Sequence, residues 1–252
     1  MNQSSGLLFA RGQKNISITG FGTIDGQGGN KTFQFGNDAD GGPKRPKIIY
    51  FVECKGIVVT DVTLRNSAYW VQHYEKCEDV TIRGLKVFSH CNYNNDGLDI
   101  DAKNATISDC YIDVEDDAIC FKSDHPEFCE NITVTNCVTA SNCNAIKFGT
   151  ASHGGYRNIA VSNCVVRRAA EDNIRHWSKQ LEHISADVTV ISGVAIEMVD
   201  GGIIDGITVS NISMRDVQTP IFIRLGDRHR TYRKEGGVLK NCLLYTSDAA
   251  DE

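Results

Sequence analysis

Short segments of alternating β-branched and polar residues recur along this chain, and each opens and closes on Asn, Asp or Gly. Seven segments share this form: NISITG at Asn15, GIVVTD at Gly56, DVTIRG at Asp79, NATISD at Asn104, NITVTN at Asn131, NIAVSN at Asn158 and GITVSN at Gly206. Their starts lie 41, 23, 25, 27, 27 and 48 residues apart. Alternation with a period of two predicts strands, and a repeat of this length is typical of a solenoid. We interpret the last gap as two turns and the first as one turn with an insertion, 27–47.

A second series of apolar segments runs in parallel with the first, so each coil has at least two strands. Its central residues are Val71, Leu98, Ile119, Ile146, Ile174, Val194 and Ile221. Equivalent residues of stacked coils lie about 4.8 Å apart and alternate in direction, so the neighbouring residues form outward columns. One predicted column holds Asp99, Cys120, Lys147, Arg175, Ala195 and Phe222. The next holds Asp101, Lys122, Gly149, Trp177, Glu197 and Arg224.

The composition is that of an ordinary globular protein, with 41% hydrophobic and 23% charged residues in 252. The formal charge of −6 gives no basic excess, so we expect no nucleic-acid partner. No apolar run approaches the roughly 18 residues that cross a bilayer, so we expect no membrane partner. The repeat favours one elongated domain over several compact ones.

The last eleven residues, CLLYTSDAADE from Cys242 to Glu252, break the repeat. They resemble the in-frame translation of a sequencing adapter, and we interpret 242–252 as a non-native tail. A native acidic tail is the alternative. We assign 1–241 to an incomplete repeat domain, with further coils expected beyond it.

Cysteine repeats with the coils, since Cys110, Cys137 and Cys164 follow one another at steps of 27 residues. Cys54 and Cys77 occupy matching places. Buried, stacked thiols are the favoured interpretation because cysteine is among the most often buried residues. A disulfide between neighbouring coils is the alternative, and no zinc-type spacing is present.

Three aspartates carry the candidate chemistry. Asp96 occurs in NNDG, and Asp116 and Asp117 follow one coil later in EDDAI. Carboxylates brought this close repel one another, which keeps one protonated beside others that are ionised. Glycoside hydrolysis needs this pairing of a carboxylic acid with a carboxylate. A calcium site and ordinary Asp-rich turns are the alternative interpretations.

These motifs resemble the Asn-Thr-Asp and Asp-Asp motifs of glycoside hydrolase family 28, the polygalacturonase family. The similarity extends from GTIDG at Gly22 through RPKIIYF at Arg45 and NSAYW at Asn66 to PIFIRL at Pro220. The resemblance implies an all-β fold, a right-handed parallel β-helix, and inverting hydrolysis of a pectic polysaccharide. It implies no cofactor, a monomer, and a secreted or periplasmic location.

By the same resemblance, Asp116 matches the general acid, and Asp96 and Asp117 match the carboxylates that position and deprotonate water. The family's Gly-His-Gly motif is absent, and Asn144 stands at the histidine position. The family's Arg-Ile-Lys motif is also absent, because Ala195 and Glu197 occupy its basic positions. This departure favours an exo-acting or rhamnogalacturonan-type specificity.

Several residues are candidates for substrate binding: Asn95, Asn144, Lys147, Arg175 and His153. Lys147 and Arg175 share the predicted outward column with Ala195, so either could hold a uronate carboxylate. Alternatively both are solvated, and Glu197 pairs with Arg224. Trp177 is either a sugar-stacking platform or packing, and His153 is either an ordinary loop residue or a residue that lines the cleft.

Two other functional classes remain open. Pectate lyases share the β-helix but use calcium and a basic residue. A β-helical glycan-binding protein needs no carboxylate cluster at all.

Overall fold

The computed structural model describes residues 6–33, 45–170, 190–228 and 236–245, and these form a right-handed parallel β-helix. Every pairing between named strands is parallel, as the predicted fold class requires. No helix in these residues is long and apolar enough to cross a membrane. The prediction of an all-β solenoid is therefore confirmed.

Each coil has three faces, and the strands are numbered in chain order. Face one contains β1 (Gly6–Arg11), β4 (Lys47–Val52), the first part of β7 (Gln72–Arg83), the first part of β9 (Leu98–Ser108), β11 (Ile119–Ser123), β14 (Asn144–Ser152), β16 (Val190–Met198) and β18 (Val217–Leu225). Face two contains β2 (Lys14–Thr19), β5 (Lys55–Thr60), the later parts of β7 and β9, β12 (Cys129–Thr135), β15 (Gly155–Arg168), β17 (Ile203–Met214), β19 (Val238–Lys240) and β20 (Leu243–Tyr245). Face three contains β3 (Thr23–Asp25), β6 (Thr63–Arg65), β8 (Lys86–Ser89), β10 (Tyr111–Val114), β13 (Val138–Ser141) and the end of β15. A single 3-10 turn, Lys31–Phe33, follows β3 among the described residues.

The seven repeat segments form the strands of face two, and their apolar residues line the core. The inward positions stack directly on one another: Ile16, Ile57, Val80, Ala105, Ile132, Ile159 and Ile207. The first residue of every segment has a positive φ, from 53° at Asn158 to 75° at Gly206. Only Gly, Asn and Asp adopt this left-handed conformation at low cost, which explains why each segment opens on one of them.

The corner asparagines also form a ladder on the surface. The Nδ2 of Asn131 donates to Oδ1 of Asn104 at 3.1 Å, and the Nδ2 of Asn158 donates to Oδ1 of Asn131 at 2.8 Å. These side-chain hydrogen bonds thus link the corners of adjacent coils.

Replacing Asn131 by Ala should lower the free energy of unfolding by about 1–2 kcal/mol, because alanine pays the left-handed backbone penalty and loses both ladder bonds. Replacing Asn131 by Gly loses the same bonds without that penalty, so it should be the milder change. Urea unfolding of both variants measures the difference. Equal losses would contradict a backbone origin for the asparagine preference.

All ten cysteines lie within the described residues, and each is a free thiol. Cys110, Cys137 and Cys164 are buried, as are Cys54 and Cys77. Burial is the largest influence on Cys77 and raises the pKa of its thiol to about 12. The interpretation as buried, stacked thiols is confirmed, and no disulfide joins the coils.

The predicted count of coils is wrong in one place. Ile159 pairs directly with Ile207, and Ile146 pairs directly with Val194. The 48-residue gap is therefore one coil with an insertion instead of two coils, and Ile174 lies outside the described residues. Val71 is also out of register by one residue, because His73 pairs with Asp99 and so places Gln72 beside Leu98.

The segment that we interpret as a tail is described only to Tyr245. Its residues Leu243–Tyr245 form β20 and pair with Thr208–Ser210 of β17. Its non-native origin, and the boundary at residue 241, stay predictions.

Candidate active site

The three aspartates meet where β9 and β11 begin on face one. The amide of Gly97 donates to the carbonyl of Asp117 at 2.8 Å, so Asp96 and Asp117 stand side by side on adjacent coils. Gly97 permits this approach, because a Cβ there would lie 2.7 Å from the carbonyl oxygen of Ala118. The one-coil spacing of NNDG and EDDAI therefore brings the carboxylates together.

The carboxylates are buried, with Asp96, Asp116 and Asp117 only 3%, 5% and 2% exposed. Carboxylate oxygens of Asp117 lie within 4.8 Å of an oxygen of Asp96 and of an oxygen of Asp116. Two oxygens at that separation can both accept hydrogen bonds of about 2.8 Å from a single water molecule. The cluster can thus hold one water between Asp96 and Asp117.

Two buried lysines neutralise part of this charge. The Nζ of Lys122 lies 3.6 Å from Oδ2 of Asp96 and 3.1 Å from Oδ1 of Asp99. The Nζ of Lys147 lies 2.9 Å from Oδ2 of Asp117 and 3.6 Å from Oε1 of Glu197. Carboxylates and ammoniums alternate across the coils, which lowers the energy of burying both.

The carboxyl groups differ in acidity. Burial, followed by the neighbouring Asp99 and Asp116, raises the pKa of Asp96 well above its ordinary value. Burial raises the pKa of Asp99 to about 6, although Lys122 opposes this shift. Burial also disfavours the charge of Asp117, but Lys147, Lys122 and the Asn144 amide outweigh burial and lower its pKa. One carboxyl group whose pKa is raised and one whose pKa is lowered therefore stand side by side in the cluster.

Asp116 is oriented by neutral donors. Its Oδ1 accepts the backbone N–H of Asp117 at 2.9 Å, and its Oδ2 accepts Nδ2 of Asn94 at 3.3 Å. The Nη2 of Arg45 donates to Oδ1 of Asn94 at 3.2 Å, which sets the orientation of that amide. Arg45 and Asn94 were not among the residues predicted for the site. Their position in the RPKIIYF and NNDG motifs was the available signal.

Asn95 does not line the cleft, contrary to the expectation that it binds substrate. Its side chain is fully buried, its Nδ2 donates to the carbonyls of Ser67 and Tyr69, and its Oδ1 accepts from Ser89. These bonds hold the loop before Asp96. Asn95 is thus a structural support for that loop.

Asn144 and Lys147 both contact Asp117 directly. The Nδ2 of Asn144 donates to Oδ1 of Asp117 at 2.7 Å, while Lys147 pairs with Oδ2. The side chain of Glu197 forms its ion pair with Lys147. Arg224 is the backbone neighbour of Glu197 on the next coil, but the predicted ion pair between these two side chains does not form. The structure therefore places Asn144 and Lys147 around the carboxylate whose pKa they lower.

Arg175 and Trp177 lie outside the described residues. Among the described residues, Lys147 pairs directly with Ala195, its neighbour after Arg175 in the predicted column. The remaining members of the column, Asp99, Cys120, Lys147, Ala195 and Phe222, stack as predicted.

His153 lies away from the aspartates. It follows the last residue of β14, whereas Asn144 is the first, and its backbone N–H donates to the carbonyl of Ser123 at 2.6 Å. The strand therefore separates His153 from the carboxylates, and its place beside the cleft stays a prediction.

Face one also carries an aromatic and cationic cluster on the coils around Asp96, formed by Lys47, Trp70, His73 and Lys122, and none of these residues was predicted for the site. Lys47 and Lys122 each place Nζ 4.7 Å from the ring centre of Trp70. Lys47 also lies 3.1 Å from Nδ1 of His73, and burial lowers the pKa of this lysine to about 8. Such lysines can hold an anionic or hydroxylated ligand beside the carboxylates.

The groups that could hold a metal are Asp96, Asp117 and Cys120, and Asp116, Asp117 and Cys143. Each set includes a thiol whose pKa is raised well above its ordinary value by burial. Calcium prefers six to eight oxygen ligands, and the nearby ammoniums already neutralise these carboxylates. The donor set therefore fits acid and base chemistry better than calcium.

Comparison with protein families matches residues 4–237 to the model described as "Glycosyl hydrolases family 28". The chain is 34% identical over 128 residues to a "Probable polygalacturonase" of Vitis vinifera, which covers 48% of this chain and 25% of that protein. It is 30% identical over 127 residues to a "Polygalacturonase" of Saccharomyces cerevisiae, which covers 47% of this chain and 34% of that protein. The matched parts thus span between a quarter and about a third of these relatives.

Two solved structures share the fold. The family 28 exopolygalacturonase of Yersinia enterocolitica has a TM-score of 0.64 at 17% identity, covering 94% of this chain and 48% of that one. The polygalacturonase of Erwinia carotovora has a TM-score of 0.52 at 16% identity, covering 94% of this chain and 70% of that one. At these identities the likeness concerns the fold alone.

Proposed function

This chain belongs to glycosyl hydrolases family 28, and from that premise we propose that its aspartate cluster hydrolyses a pectic polysaccharide by single displacement. One observation carries the proposal: three buried carboxyl groups meet on adjacent coils, where Lys147 and Asn144 lower the pKa of Asp117 and burial raises the pKa of Asp96. Glycoside hydrolysis needs a carboxylic acid beside a carboxylate.

We assign Asp117 as the base that deprotonates the attacking water, because Lys147 and Asn144 stabilise its negative charge. Asp96 holds the same water from the adjacent coil. Asp116 is the acid that protonates the leaving oxygen, and Asn94 orients it.

The binding cleft differs from the family pattern at Ala195 and Glu197. Neither Ala195 nor Glu197 is basic, so neither can bind a uronate carboxylate. Lys147 is also occupied, because it pairs with Glu197 and Asp117. Lys122 is already paired with Asp96 and Asp99, so the cation that we propose for an acidic sugar is Lys47, beside Trp70. We propose a rhamnogalacturonan-type or exo-acting specificity, with the uronate recognised on the coils before Asp96.

All residues assigned to the site come from one chain, so we propose that the enzyme acts as a monomer. A polymer substrate cannot cross a membrane, which favours a secreted or periplasmic location. The proposed reaction uses no cofactor, because the carboxylates supply both the acid and the base.

Incubation of the chain with polygalacturonan and with rhamnogalacturonan should release reducing ends without the ultraviolet absorbance of an unsaturated product. Chelation should leave the rate unchanged, and proton NMR of the first product should show the inverted anomer. Rising absorbance that disappears with chelator would instead identify a calcium-dependent lyase. Binding without any cleavage would identify a glycan-binding protein.

A further inference from the structure

A second cavity opens on the protein surface beside face one, away from the three aspartates. Its volume is about 230 Å³, which is the space of roughly eight water molecules. Its lining residues on β7 and β9 include Lys76, Glu78, Asp101 and Lys103, and the loop after β11 adds His125, Glu127 and Phe128. Asp101 lies five residues beyond Asp96, about 16 Å along an extended strand. The cavity is therefore separate from the catalytic carboxylates.

Asp101 is the unusual group in this cavity. It is only 6% exposed, and its Oδ2 has no hydrogen-bond partner among the residues that the structure describes. Burial, with Asp124 and Glu75, raises the pKa of Asp101 to about 7. Oδ2 itself is closed off from solvent, so the remaining exposed part of Asp101, which lines the cavity, is what can accept a donor from a ligand.

The other charges at the cavity are mostly engaged elsewhere. Glu78 pairs with Lys55 at 2.7 Å, and Lys103 lies 3.7 Å from Glu130. Asp101 and Glu127 remain as acceptors beside Lys76, so the cavity has more acceptors than cations. This balance favours a neutral ligand with hydroxyl donors and disfavours an anionic one.

The cavity also has an apolar wall, the half-buried ring of Phe128. The guanidinium of Arg157 covers one side of that ring, 4.5 Å from its centre. The aromatic face can pack against the C–H face of a sugar ring. A preformed metal site is not favoured, because the groups of described residues whose ligand atoms converge within 4.8 Å lie at the catalytic aspartates.

We propose that this cavity binds a neutral sugar, with Asp101 accepting hydrogen bonds from its hydroxyl groups and Phe128 packing against its apolar face. The site does not depend on the hydrolytic assignment. It would hold a glycan at a position separate from the bond that is cleaved.

Saturation-transfer NMR on the whole chain tests this site with galactose and arabinose as probes. Both D101A and F128A should weaken binding of at least one sugar tenfold or more. D205A removes an acid that pairs with Lys240 at 3.1 Å and lies two coils beyond Glu130 on face two, outside the cavity lining, so it should leave binding unchanged. D117N should also leave binding unchanged, because Asp117 belongs to the catalytic cluster.

Three results would overturn the site. The first is no transfer to either sugar, and the second is equal transfer in wild type, D101A and F128A. The third is calcium chloride binding that D101A abolishes, which would assign the cavity to a cation. Loss of sugar binding in D117N alone would place the signal at the catalytic cluster and would equally reject the proposal, whatever the outcome of the hydrolysis assays.

Discussion

Replacing Asp116 by Asn is expected to lower kcat on a pectic substrate by about 10²- to 10⁴-fold, the usual contribution of general acid catalysis. The amide keeps the shape of the carboxyl group, and its Oδ1 can still accept the backbone N–H of Asp117. It cannot give a proton to the leaving oxygen. Release of reducing ends, measured over a range of pH, checks the prediction.

Two matched variants separate the acid from its neighbours. Asp205→Asn changes an aspartate outside the site and should leave the rate unchanged. Asp96→Asn removes the carboxyl whose pKa is raised most clearly by burial, and circular dichroism should show that all three variants fold. Unchanged hydrolysis in Asp116→Asn, with loss in Asp96→Asn, would make Asp96 the acid.

Replacing Lys147 by Met should lower the free energy of unfolding by about 3–5 kcal/mol, the range found when one partner of a buried ion pair is removed. Lys147 lies between Asp117 and Glu197, so the variant leaves two carboxylates without their shared ammonium. Lys103→Met is the control, because that side chain is 46% exposed and its pairing with Glu130 is worth at most about 1 kcal/mol. Urea unfolding of both variants measures the contrast.

The loss in Lys147→Met should depend on pH in a defined direction. Lys147 helps to lower the pKa of Asp117 in the folded chain, and a lowered carboxyl pKa stabilises the fold above the unfolded value of 3.8. That contribution is lost as the pH falls through the folded pKa. The difference from wild type should therefore be largest near neutral pH and should shrink below pH 4.

The acid side of the activity profile of Lys147→Met should move to higher pH, because Asp117 then takes up a proton more readily. A loss of stability that does not vary with pH would show that Lys147 acts through packing and not through charge.

The coil architecture could be predicted from the sequence because its determinants are local. A strand that alternates apolar and polar residues needs a tight corner at each end, and only Gly, Asn and Asp turn such a corner cheaply. Asn131 at φ 58° and Gly206 at φ 75° illustrate the rule. The stacking of equivalent positions then follows from the repeat, as the pairing of Asp99, Cys120 and Lys147 illustrates.

The sequence by itself determined the strands, their corners and the meeting of Asp96 with Asp117, because residues one coil apart must become neighbours. Only the tertiary structure decided which coils are adjacent across the 48-residue gap, since a spacing cannot distinguish two coils from one coil with an insertion. It also decided that Lys147 pairs with Asp117, that Asn95 is buried in its loop, and that Lys47 and Lys122 flank Trp70. Long side chains reach several ångströms across neighbouring coils, so their partners depend on three-dimensional distance and burial, which a one-dimensional pattern does not contain.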